Sequence, residues 1–93
     1  MEQITRNWAL LAAPYGVRVN AVAPGPTETG ILEASGLDAV EVETIVEEEQ
    51  KAIPMGRRGR PEEVARWIAH LADPAAGWVT GEIIAVDGGL GLT

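Results

Sequence analysis

Apolar positions in residues 2–12 recur at helical spacing, as Ile4, Trp8 and Leu11, and neither Gly nor Pro interrupts them. They predict a helix ended by Pro14 and Gly16. No capping residue precedes it, so the chain is expected to enter part-way along a longer helix. Residues 17–23, Val-Arg-Val-Asn-Ala-Val-Ala, predict a buried strand, which Pro24-Gly25-Pro26 should stop and turn into a tight loop. Ile31-Leu32-Glu33-Ala34 predicts one turn of helix, Ser35-Gly36 breaks it, and Asp38 is placed to cap a second helix to about Ala52. Val42, Ile45, Val46, Ala52 and Ile53 give that segment an apolar stripe, while Glu41, Glu43, Glu47, Glu48 and Glu49 make its other side anionic. After a turn-rich linker, Pro61-Glu62-Glu63 opens a helix with Pro at its first position and carboxylates where the dipole favours them. Val64, Trp67, Ile68, Leu71 and Ala72 form its expected buried stripe, up to Pro74. A loop carrying Trp78 then leads to Ile83-Ile84-Ala85-Val86, a short apolar run that suits a strand covered on both faces.

The order helix, strand, long excursion, helix, strand predicts an α/β fold with a parallel sheet and right-handed crossovers. Two parallel strands and about three to four helices cannot cover both faces and both edges of such a sheet. The 93 residues are therefore expected to be half of a doubly wound domain. A chain of this length buries only roughly 60–65% of the surface its unfolded form exposes, so its stability should be marginal.

Composition narrows the partners. With 46% apolar residues the chain has the make-up of a folded protein, and its formal charge of −7 argues against a nucleic-acid backbone or an anionic membrane. Its one basic cluster is Arg57, Arg58 and Arg60. Without Cys there is neither a disulfide nor a thiolate metal site, and no metal is expected. The absence of any apolar run near the ~20 residues of a membrane span, and of a signal-peptide layout, predicts a cytoplasmic protein.

Candidate chemistry sits where the first strand ends. Ligands of open parallel sheets bind outside the carboxyl ends of the strands, and there Pro24 and Gly25 form a rigid corner followed by Thr27 and Thr29. Hydroxyls after a turn often bond their own backbone, so each threonine is open to a local role as well as a ligand role. Trp8, Trp67 and Trp78 are expected in the core or in subunit contacts, and His70 in a structural role. Consecutive carboxylates on a helix diverge by about 100°, so Glu47, Glu48 and Glu49 should form a solvated face. The arginines are expected to balance the acidic segment rather than meet a phosphate.

Four runs of residues, in order, resemble the short-chain dehydrogenase/reductases in their ordinary form. They are Ala-Pro-Tyr-Gly-Val-Arg-Val-Asn-Ala-Val-Ala-Pro-Gly at residues 13–25, Ile-Pro-Met-Gly-Arg at 53–57, Pro-Glu-Glu-Val-Ala at 61–65, and Trp-Val-Thr-Gly at 78–81 followed by Val86-Asp87-Gly88-Gly89. The resemblance implies the carboxyl-terminal part of a Rossmann-type domain spanning residues 1–93, with residues 29–53 as a substrate lid that includes Ile31 and Leu32. It implies a nicotinamide cofactor, NAD or NADP, and hydride transfer between an alcohol and a carbonyl in the manner of a 3-oxoacyl reductase. Pro24, Gly25, Thr27 and Thr29 then become cofactor-binding positions, with the Thr27 backbone at the nicotinamide carboxamide and the Thr29 side chain at the carboxamide or the pyrophosphate. The family's Gly-rich phosphate loop, catalytic Ser and Tyr-x-x-x-Lys pair do not occur in these residues. No catalytic residue is assigned, Tyr15 included, and the chain alone is expected to be inactive. The resemblance also implies a homodimer or homotetramer for the complete enzyme. A reading from another class, a non-catalytic binding or assembly module docking through an open strand edge, is also compatible with the sequence.

Overall fold

The structure, a computed structural model, describes residues 2–93. In chain order its elements are helix α1 (Glu2–Ala12), strand β1 (Ala21–Pro24), the single turn α2 (Ile31–Ala34), helices α3 (Ala39–Ala52) and α4 (Pro61–Ala72), and strand β2 (Ile83–Val86). Short 3-10 turns follow α1, α4 and β2. The two strands pair in parallel, from Ala21 opposite Ile83 to Pro24 opposite Val86. α4 packs beside β1.

The helix ends follow from the residues that form them. After α1 the chain tightens over Ala13–Tyr15 and stops at Gly16, whose φ of 73° is left-handed and whose N–H returns to the Ala13 carbonyl. Asp38 caps α3 with a reciprocal box: its carboxylate accepts from the Glu41 amide at 2.8 Å, and the Glu41 carboxylate accepts from the Asp38 amide. The Glu41 amide holds the Asp38 carboxyl below the usual carboxylate range. Pro61 begins α4, and Glu63 accepts from the Arg60 amide at 3.0 Å. At the other end of α4, Arg18 donates to the Leu71 and Asp73 carbonyls, placing a cation where the dipole is negative.

Three expectations need correction. The ladder of β1 covers Ala21–Pro24, not residues 17–23, because the stretch before it faces a loop. The Val19 amide donates to Thr80 Oγ1, the Gly81 amide to the Val19 carbonyl, and Asn20 exchanges side-chain bonds with Val79 and Glu82. Nor does Pro24 stop the ladder. Alternate residues of a parallel strand donate to a given neighbour, so Pro24 occupies a non-donating position, and the bond to the Val86 carbonyl comes from the Gly25 amide at 3.0 Å. Last, the apolar stripes lie open. Among the described residues the buried ones are Thr5, Ala9, Ile53 and Ala76, whereas Trp8, Trp67 and Trp78 are 62%, 43% and 98% exposed and therefore do not form a core in this chain. Ile4, Leu11 and Ile68 are exposed with them, and β2 is only half-covered, with Ala85 open.

The molecule is elongated, 52 × 26 × 23 Å, with a radius of gyration of 16.3 Å against about 12 Å for a compact domain of this length. Among the described residues no helix is long and apolar enough to cross a membrane. Apolar faces this open should drive the isolated chain to self-associate without a defined stoichiometry, or leave it loosely packed. Size-exclusion chromatography with light scattering tests this; a sharp monomer peak together with a cooperative thermal transition would contradict it.

Candidate functional site

Three loops meet beyond the carboxyl ends of the two strands: residues 25–29 after β1, residues 53–60 between α3 and α4, and residues 87–91 after β2. Their closeness explains the glycines. A Cβ on Gly25 would lie 2.7 Å from Asp87 Cβ and 2.8 Å from its Cα, so no side chain fits where the two strand exits cross. Gly88, at φ +62°, faces Ile53 at the same 2.7 Å, and Ile53 is buried. Asp87 closes its own loop by accepting from the Gly89 and Gly91 amides at 2.9 and 3.0 Å.

Thr27 is braced from both sides. The Gly59 amide donates to the Pro26 carbonyl at 2.9 Å and the Glu28 amide donates to the Gly59 carbonyl at 3.0 Å, which fixes the peptide planes before and after Thr27. The Thr27 carbonyl accepts from Arg58 Nη2 at 2.8 Å. Its hydroxyl donates to the Gly25 carbonyl at 2.8 Å, the local bond that residues of this kind make after turns. Its amide has no hydrogen-bond partner among the described residues and is held in one direction. Thr29 is exposed, and its hydroxyl likewise makes no bond within the described chain. Pro24 and Gly25 supply the corner, while Ile31 is exposed on α2 and Leu32 is half-buried beneath it.

The arginines divide the charge. Arg57 forms a two-pronged pair with Glu63, at 2.8 and 2.9 Å. Arg57 first, and the Arg60 amide next, hold the Glu63 carboxyl down at about 2 against 4.5 for an unperturbed one. Arg58 reaches Glu49 in the last turn of α3, with Nε and Oε2 2.9 Å apart. The contact lacks hydrogen-bond alignment, so the attraction is that of charge. Glu47 and Glu48 are solvated as expected, but Glu49 is not; residue spacing on the helix says which way it faces and nothing of what it meets. His70 stands edge-on to Trp67 at 5.6 Å.

The recess beside this junction, about 290 Å³, is lined by Met55, Arg57, Val64, Val86 and Gly88 among others, and by none of Pro24, Gly25, Thr27 and Thr29. The four residues follow one another from the end of β1 into the loop beyond it, with Pro24 and Thr29 exposed and Gly25 and Thr27 half-buried. Sequence reasoning missed Gly59, Arg58 and Asp87, which hold that loop in place; the only signal for them was the Gly-Arg-Arg-Gly run and the Asp-Gly-Gly turn.

A family model described as enoyl-(acyl carrier protein) reductase matches residues 1–91. The 3-oxoacyl-(acyl-carrier-protein) reductase FabG of Thermotoga maritima is 44% identical over 87 residues, which is 94% of this chain and 33% of that protein. The cis-4-hydroxycyclohexanecarboxylate dehydrogenase of Sinomonas cyclohexanicum is 49% identical over 86 residues, 92% of this chain and 32% of that one. Among solved structures, the ligand-free aldohexose dehydrogenase of Thermoplasma acidophilum superposes with a TM-score of 0.85 at 35% identity, covering 99% of this chain and 38% of its own. A short-chain dehydrogenase/reductase of Caenorhabditis elegans, solved with cofactor, gives 0.84 at 35% identity, with 99% and 35% covered. The chain thus spans about a third of the length of the curated relatives it matches, and its two strands and four helices are a Rossmann-type α/β piece.

The low Glu63 value carries a sign. A carboxyl with a depressed folded-state pKa adds stability that is complete above 4.5 and disappears as pH falls through about 2. A side-chain NMR titration should place the Glu63 midpoint near 2, and Arg57→Gln should move it back toward 4.5. A midpoint near 4.5 in the unmodified chain would show that the pair does not hold in solution.

Proposed function

We infer the activity of this chain from its family: it belongs to the short-chain dehydrogenase/reductases. Residues 1–93 are the carboxyl-terminal part of a single Rossmann-type domain in an NAD(P)-dependent oxidoreductase that interconverts an alcohol and a carbonyl. The observation that carries this reading is the Thr27 amide, unpartnered and held in direction by bonds on both adjoining peptides. A fixed donor beyond the end of a parallel strand fits a planar amide such as the nicotinamide carboxamide, whose oxygen would accept from it. The free Thr29 hydroxyl supplies a second contact to the same group or to the pyrophosphate. Gly25 and Pro24 hold the backbone at the corner where the cofactor would lie. When bound, NAD or NADP supplies or accepts the hydride.

The remaining residues orient and enclose. Residues 29–53 form the substrate lid, with Ile31 and Leu32 offering apolar surface to an acyl-like carbonyl substrate of the 3-oxoacyl kind, the class named for the Thermotoga maritima relative. Two features support assembly into a homodimer or homotetramer: the open apolar face of α1, and that of α4 with Trp67 and Ile68. The same faces would serve a non-catalytic assembly module, but that reading gives the braced Thr27 amide nothing to do.

Two measurements bear on this. The purified 93-residue chain should show no nicotinamide-dependent carbonyl reduction, because neither the family's Tyr-x-x-x-Lys pair nor its Gly-rich phosphate loop occurs in these residues. Turnover that survives repurification would refute it. In a complete enzyme containing these residues, Thr29→Val should weaken cofactor binding by about 1–2 kcal/mol, the loss of one polar contact, without lowering thermal stability. An unchanged dissociation constant would remove Thr29 from the site.

A further inference from the structure

Arg58 touches two parts of the molecule that the proposed reaction must coordinate. Its Nη2 donates to the Thr27 carbonyl at 2.8 Å, and its Nε lies 2.9 Å from Glu49 Oε2 at the end of α3. The side chain is mostly buried, 13% exposed against 27% for Glu49, so solvent screens the pair only in part. A guanidinium is suited to this double duty, since its planar fork presents several donors in fixed relative directions.

The two contacts differ in kind. The bond to Thr27 is directed, and it falls on the carbonyl of the same peptide whose N–H, that of Glu28, donates to the Gly59 carbonyl. With the Glu28–Gly59 bond it fixes that peptide; the free Thr27 amide lies in the preceding one, whose carbonyl accepts from Gly59, so Arg58 acts on it through the backbone torsions of Thr27. The contact to Glu49 is unaligned and rests on charge, so it tolerates movement of α3 more readily than a directed bond would. Of the acidic side chains on α3, Glu49 is the one that leaves the solvated face to meet a cation.

We propose that Arg58 is a positioning residue that couples the lid helix α3 to the cofactor loop, so that occupation of the Thr27 amide is felt at the end of α3. This rests on the reading of residues 24–29 as the nicotinamide loop. A cofactor group accepting from Thr27 favours one orientation of that residue, which favours one position of Arg58, which in turn holds Glu49 and the last turn of α3. By linkage, settling of the lid on a substrate favours the cofactor-ready loop to the same extent.

The experiment uses the complete enzyme that carries these residues, with NADH and NADPH as probes. Affinity is measured by titration, and amide hydrogen exchange across residues 39–52 is followed with and without cofactor, in the wild type, Arg58→Met and Glu49→Gln. Cofactor should slow exchange at the end of α3 in the wild type. Arg58→Met should bind cofactor about tenfold more weakly and lose that slowing. Glu49→Gln keeps size and removes the charge; its affinity should change little, but the slowing should again be lost, an effect that a merely structural role would not produce. Slowing retained in Glu49→Gln would overturn the coupling whatever Arg58→Met does, and if Arg58→Met fails to fold, Glu49→Gln decides alone. A wild type that binds neither cofactor would overturn the loop reading and the coupling with it, whereas normal binding with unaltered slowing in the variants would overturn the coupling only.

Discussion

The carboxyl end of this sheet depends on how closely the two strand exits approach each other. At Gly25 and Asp87 the backbones pass at a distance that excludes even a methyl group, and Gly88 meets the Ile53 side chain equally closely. Two four-residue strands contribute few ladder bonds, so their pairing alone would leave the loops beyond them free to spread. The crossing at Gly25 prevents that. It brings residues 25–29 against residues 53–60, where Gly59 can bond on both sides of Thr27. The buried side chain of Ile53, at the start of residues 53–60, lies against Gly88 of the loop after β2.

Charge is arranged around these loops in a consistent way. A chain with a formal charge of −7 places its three clustered arginines at the loop junction, and two of them are committed to carboxylates from different helices. Arg57 fastens the start of α4 and Arg58 the end of α3, so the junction is held from two helices at once. Arg18 does similar work at the far end of α4, where it meets the last carbonyls of the helix. Arg18, Arg57 and Arg58 are thus structural links between segments.

Much of the fold was legible in the sequence. The limits of α1, α2 and α4 and the capping role of Asp38 follow from local signals, helical spacing, a Pro at a first turn and an Asp ahead of a helix, and the parallel pairing of the two strands follows from the order of the elements. What local signals could not carry was partnership. The valine-rich start at Val17 has strand propensity but faces the 79–82 loop, so propensity was spent on extended chain without a ladder. The stripes of α1 and α4 were correctly found as apolar, yet a stripe does not say what covers it, and in this chain Trp8 and Trp67 are open. At the site, Pro24, Gly25, Thr27 and Thr29 were identifiable as a loop with hydrogen-bonding capacity. The role of Arg58 was not, because the carbonyl it meets lies 31 positions earlier.

The connections of residues 18–20 set the order in which the molecule can form. Asn20 accepts from the Glu82 amide 62 positions away, and Arg18 reaches Leu71 across 53. Closing a loop of about sixty residues costs roughly 3–4 kcal/mol of chain entropy before any ladder bond is made. On a ribosome, β1 is therefore synthesised long before its neighbour exists. Its pairing with β2 waits until the intervening residues have emerged, and the helices α3 and α4, whose backbone bonds are local, can form before it. Within these residues the β1–β2 ladder is thus a late contact, made only after the helices between the two strands have been synthesised.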